Sequence, residues 1–88
     1  MDFEFDREKS AANHDKHGID FIGAQAIWMD ERMVTVRSKS EGEVRYLAIG
    51  LIGQRHWSAV WTERGPRLRI ISARRSRKDE VELWLNGP

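Results

Sequence analysis

Polar and apolar positions change rhythm twice along this chain. From Arg7 to Lys16 nearly every position is polar, with Ala11 and Ala12 the exceptions. Asp6 as N-cap and Gly18 as a stop after His17 still predict a helix there. Phe3 and Phe5, just upstream, supply its anchoring bulk. Phe21, Ala24, Ile27 and Trp28 then recur at helical spacing, predicting a second helix from Asp20 to about Met29. Past the turn at Asp30-Glu31-Arg32 the rhythm falls to two.

Four strands are expected at 33–38, 43–52, 55–62 and 67–73. They are separated by a polar turn at 38–43, by Gly53-Gln54 and by Arg64-Gly-Pro66. Short turns imply an antiparallel meander. Ser76-Arg-Lys-Asp79 resembles a capping box and opens a last helix from Arg77 to about Leu85, stopped by Gly87-Pro88. The expectation is one α+β domain over residues 1–88, with a four-stranded antiparallel sheet. Two N-terminal helices and one C-terminal helix lie on one sheet face. Alternation along the fourth strand predicts Leu68, Ile70 and Ser72 on one side and Arg67, Arg69, Ile71 and Ala73 on the other.

Charge sharpens the picture. The chain's 88 residues carry a net charge of only +1, yet seven of the 15 basic residues fall between Arg64 and Lys78, with no acidic residue among them. So concentrated a cationic stretch suits a polyanion, with a phosphodiester backbone the first candidate. Its cations divide into Arg67 and Arg69 on the strand, and Arg74, Arg75, Arg77 and Lys78 at the start of the last helix. With four Trp, an aromatic and cationic sheet face could bind single-stranded RNA. In so small a domain, however, most large aromatics fill the core.

Cysteine is absent, which rules out disulfides and thiolate metal sites and fits the cytoplasm. No apolar run is long enough to span a bilayer. The opening Met1-Asp-Phe-Glu-Phe-Asp6 is acidic where a secretory signal would be basic. His14, His17 and His56 form no metal-ligating pattern, and no glycine-rich phosphate loop occurs, so neither metal nor cofactor is expected.

Acid–base chemistry beside arginines remains. RNA is cleaved without metal when its own 2′-hydroxyl attacks the phosphate, given a base, a cation on the phosphorane and an acid for the leaving oxygen. Lys16, His17, Glu43 and Glu63 are the acid–base candidates. Arg45, Arg64, Arg69, Arg74 and Arg75 are the charge stabilisers. Each also has a structural reading: Lys16-His17 at a helix C-terminus favours the helix dipole, and Glu43 with Arg45 makes an ion pair.

Several residues fall into a familiar order: Phe5-Asp6-x-x-Lys9, Asn13, Lys16-His17-Gly18, Phe21, Ala24 and Asp30, then Glu43-x-Arg45, Ile49-Gly50 and Thr62-x-Arg64, then Arg69-Ile-Ile-Ser-Ala-Arg-Arg75 and Glu80. From about Phe5 to Trp84 the chain resembles the BrnT toxins of bacterial type II toxin–antitoxin systems. Trp28 and Trp84 stand where Phe and Tyr are usual, and Phe5 where Trp is common. Tyr46 is therefore the sole tyrosine available for catalysis.

The resemblance implies a RelE-like ribonuclease fold and RNA cleavage that arrests translation. It also implies a BrnA-type antitoxin with a ribbon-helix-helix domain. Operator DNA is bound only through that antitoxin, the complex represses its own operon, and the assembly is a heterotetramer of two toxins and two antitoxins. By position, Lys16, His17, Glu43, Arg45, Arg64, Arg74 and Arg75 are expected to be catalytic. Arg67, Arg69, Arg77 and Lys78 are expected to bind RNA. The alternative is a non-catalytic module that binds nucleic acid or the antitoxin.

Overall fold

A computed structural model of the chain describes residues 1–39 and 41–87. Ser40 of the expected 38–43 turn and Pro88 of the expected terminal stop lie outside the described residues. In chain order come β1 (Asp2–Glu4), α1 (Arg7–His17), a 3₁₀ segment (Gly23–Met29), β2 (Val34–Ser38), β3 (Arg45–Ile52), β4 (Arg55–Arg64), β5 (Arg67–Arg75) and α2 (Lys78–Asn86).

The α+β class holds, but the sheet has five strands and is mixed, in the order β1-β5-β4-β3-β2. Strands β2 to β5 form the expected antiparallel meander. The strand not foreseen is β1, which runs parallel to β5 with Phe3 opposite Leu68. Three residues are too few to display an alternation. The pairing is set by the free edge of β5.

The expected pair of N-terminal helices is also corrected. Only α1 is α-helical, and the second segment winds as 3₁₀. Phe21, Ala24 and Ile27, all at most 1% exposed, are spaced by three. A turn of 3.0 residues stacks such positions in one line, where an α-helix would spread them. The line lies close on β3: a Cβ at Gly50 would come within 2.9 Å of the Ile27 carbonyl oxygen.

The main core sits on this side of the sheet. Phe21, Ala24 and Ile27 pack with Ala48, Ala59, Leu68, Ile70 and Ala73, and Trp28, Trp57 and Trp61 close its rim. The Trp residues are therefore core and rim, as expected of a small domain. At the end of β3 the aromatic rings Phe3, Trp28, Trp61 and Tyr46 follow one another in contact.

The expected face assignment on β5 fails halfway along. A bulge puts Val60 opposite Ser72 but Trp61 opposite Ile70, leaving Ile71 unpaired. Alternation restarts out of phase, so Ala73 rather than Ser72 joins Leu68 and Ile70 in the core. Arg69 lies opposite Thr62, away from the Trp-bearing face. The expected face shared by Arg69 and the Trp row is thus not formed.

The helices also do not share one face. His56 and Ser58, pointing away from the main core, meet α2: the His56 ring contacts Trp84 edge-on, and Ser58 Oγ–H donates to Glu80. Helix α2 begins one residue later than expected. Its reciprocal cap is Glu80, which accepts from the Arg77 N–H at 2.9 Å. Ser76 Oγ instead bonds to Ser58 Oγ at 2.8 Å.

Three polar side chains, Ser10, Asn13 and Asp30, hold the layers together. Helix α1, poor in apolar residues, is fixed by Ser10 and Asn13, both buried. Ser10 Oγ accepts the Phe21 N–H. The Asn13 amide imitates a strand, donating to Ala73 O at 2.9 Å and accepting from Ala73 N–H at 3.2 Å, and donates again to Ile19 O. Asp30 accepts from the Leu51 N–H at 2.7 Å, the Trp84 indole N–H at 2.8 Å and the Arg32 N–H. Burial opposes ionisation of Asp30, but these donors hold its pKa below the usual value.

Candidate functional site

The meander carries several cations to one end of the sheet. Arg45 opens β3, Thr62 and Arg64 close β4, and Arg69 lies near the start of β5. All four fall on the side of the sheet away from the main core, as the cross-strand register requires. With Glu43, Lys9 from α1 and Ile71 at the bulge, they line a hollow of about 140 Å³. Four cations and one carboxylate thus share its lining.

The ion pairs to Glu43 are loose, and that of Arg69 is tight. Arg45 Nε–H donates to Glu43 at 3.4 Å, and Arg64 Nη2 lies 3.8 Å from the other Glu43 oxygen. Arg69 is anchored by Glu4 on β1, Nη1 to Oε2 at 2.7 Å. Thr62 Oγ1–H donates to the Val44 carbonyl at 2.7 Å, tying the approach to β3 onto β4 and fixing where Glu43 emerges. Such a hollow can accept a phosphate, offering guanidinium forks to its oxygens and a carboxylate to a nearby proton.

Of the residues singled out from sequence, Glu43, Arg45, Arg64 and Arg69 come together here. Arg74 is occupied elsewhere. Its guanidinium grips both carboxylate oxygens of Glu80 at 2.8 Å. Glu80 is 6% exposed. Burial pushes its pKa up, but Arg74, the Arg77 N–H and Ser58 overcome that and hold it at about 2. The same carboxylate keeps Arg74 above its ordinary value.

Arg75 is exposed, sits directly opposite Trp57 and lies 5.7 Å from its ring. It is four residues beyond Ile71, or roughly 13 Å along a strand. Helix α1 runs beside β5, from Lys9 at the hollow to Asn13 at Ala73. Lys16 and His17 therefore lie further toward the Arg75 end and do not line the hollow. Arg67 is exposed in a separate depression with Met1, Asp2, Phe3 and Gln25. Arg77 and Lys78 are exposed at the start of α2.

Lys9 and Thr62 were not among the predicted site residues. Lys9 reaches the hollow because Asn13 docks α1 on β5, and its one signal in the sequence is its place in the Phe5-Asp6-x-x-Lys9 motif. Thr62 shares the strand parity of Ser58 and Val60, a clue available once the face was known. Among the described residues no group of three or more His, Cys, Asp or Glu side chains converges as a metal site. None of the described helices is long and apolar enough to cross a membrane.

Comparison with known families supplies a match over residues 5–80, to a family described as the ribonuclease toxin, BrnT, of type II toxin–antitoxin systems. No curated protein shows significant similarity to the chain.

Proposed function

The chain belongs to the BrnT family of ribonuclease toxins, and on that premise we propose that it cleaves RNA without a metal ion in the hollow around Glu43. The observation that carries this reading is one hollow lined by Arg45, Arg64, Arg69 and Lys9 together with the Glu43 carboxylate. Glu43 accepts the proton of a 2′-hydroxyl as its oxygen attacks the adjacent phosphorus. Arg45 and Arg64 hold the phosphate oxygens while negative charge builds on the phosphorane. The bond from phosphorus to the 5′-oxygen breaks, and Lys9 supplies the proton that oxygen takes. The products are a 2′,3′-cyclic phosphate and a 5′-hydroxyl.

Arg69 sets the electrostatic potential from its anchor on Glu4. Arg74 has a positioning role, fixing α2 on the sheet, while Lys16, His17, Arg75, Arg67, Arg77 and Lys78 extend the cationic surface that RNA crosses. The proposed setting is the cytoplasm, where RNA cleavage arrests translation. A BrnA-type ribbon-helix-helix antitoxin neutralises the toxin, in a heterotetramer that represses its own operon.

The test is cleavage of a defined RNA by purified protein in EDTA, with the product ends identified. Cleavage leaving cyclic phosphate is expected. Loss of cleavage in EDTA refutes the metal-independent mechanism. Binding of RNA with no cleavage under any condition leaves a non-catalytic module. Competition between antitoxin and RNA is expected if the antitoxin covers the hollow.

A further inference from the structure

A second hollow adjoins the first at the same end of the sheet. It measures about 390 Å³ and is lined by Arg37, Glu43, Val44, Tyr46, Thr62 and Glu63. Glu43 and Thr62 line both hollows, so the two adjoin at the end of β3 and β4, the first on the Arg45 side of the sheet and the second toward the Tyr46 side. They differ in chemistry. The smaller holds four cations and one carboxylate. The larger reverses that balance, with Arg37 against Glu43 and Glu63, and adds an aromatic wall.

We propose that this larger hollow is a nucleobase subsite, which stacks a base of a nucleotide adjoining the phosphate held by Arg45 and Arg64. The inference rests on the reading of the Glu43 hollow as a phosphate site. Two carboxylates make the second hollow a poor place for another phosphate, whereas a base is uncharged. Tyr46 is a rigid platform. One side of its ring lies on Trp61, centroids 4.6 Å apart and planes 29° from parallel. Trp61 is in turn wedged edge-on by Trp28. Tyr46 is half-buried, and Arg37 lies directly opposite it on β2.

Glu63 sets the preference. It follows Trp61 on the same strand face, is exposed and lines the hollow. A carboxylate accepts hydrogen bonds from exocyclic amines such as cytosine N4. The subsite therefore favours an amino-bearing base over uracil.

The experiment measures binding of a 2′-O-methylated RNA, whose blocked hydroxyl prevents cleavage, with an abasic nucleotide walked along it. At one position, base removal is expected to weaken wild-type binding by roughly 5- to 100-fold, the range for loss of one stacked base. Tyr46→Ala should lose a similar factor on intact RNA and show no further loss at that position. Tyr46→Phe should behave as wild type. Glu63→Gln, at an exposed position that does not threaten folding, should lose most of the preference for cytosine or adenine over uracil there.

Additive losses from Tyr46→Ala and base removal at every position overturn the proposal, as does an unchanged base preference in Glu63→Gln or binding indifferent to every base. Cleavage of unmodified RNA is read separately. A base-selective protein that cleaves nothing would refute the ribonuclease mechanism and leave the subsite standing.

Discussion

Arg74 and Glu80 form a two-pronged ion pair, Nη1 on Oε1 and Nη2 on Oε2, that fastens the first turn of α2 to the end of β5. Removing Arg74 leaves the Glu80 carboxylate buried beside Ser58 without its counter-charge, and removing Glu80 leaves the half-buried Arg74 without its partner. Arg74→Ala and Glu80→Ala are each expected to cost about 3 kcal/mol, the scale for breaking a buried pair. The double variant should cost much less than the sum. Urea unfolding of the three variants measures the coupling, and simple additivity would deny the pair its structural role.

Acid should release the same device. Glu80 is held at about 2 in the folded protein, below its ordinary 4.5. Its stabilisation is complete above about pH 4.5 and is lost as pH falls toward 2, a contribution of roughly 1–3 kcal/mol. Asp30, also lowered, acts in the same direction. Wild-type stability should fall steeply across this range, and Glu80→Gln should flatten the slope. An equally steep slope in that variant would assign the acid sensitivity elsewhere.

The hollow should respond in the opposite manner. The two ion pairs of Glu43 are more than a third exposed, so Glu43→Gln, Arg45→Ala and Arg64→Ala should change stability by only about 0.5 kcal/mol. Loss of a proton acceptor or of a cation on the phosphorane should slow cleavage by roughly 10²- to 10³-fold. Single-turnover cleavage beside thermal melts separates the two effects. Full activity in Glu43→Gln would exclude it as the base.

Asn13 carries the docking of α1. Asn13→Ala removes three hydrogen bonds at a buried position and should cost about 1–3 kcal/mol. Amide exchange at Ala73 should accelerate more than at Ala59, whose strand has neighbours on both sides. Because Lys9 rides on the same helix, cleavage should also fall. Retained protection at Ala73 would mean that α1 is held by other contacts.

The meander and its turns were legible because β2 to β5 alternate and the turn residues are distinctive. So were the cap at Asp6, which accepts from the Glu8 and Lys9 N–H groups, and the left-handed stop at Gly18. What escaped depended on partners distant in sequence. The edge of β5 recruits β1, and the flat surface at Gly50 accepts a line of residues three apart. The carboxylate of Glu80 claims Arg74. Sequence identified the arginines as a group, but only the register separates Arg45, Arg64 and Arg69 from Arg74 and Arg75. The bulge was illegible, because Ile70-Ile71 reads equally well in either phase.

That extra residue divides the labour of β5. Arg69 and Arg74 are five positions apart, an odd interval that on an unbroken strand would send them to opposite surfaces. Ile71 restores them to the same one. One strand can therefore offer a cation to a ligand at one end and clamp a helix at the other. Deleting Ile71 would close the bulge, keep Ala73 in the core and Arg69 and Arg74 on one surface, and strip the hollow of a residue that lines it. The bulge thus serves the hollow and is not needed for the order of the faces beyond it.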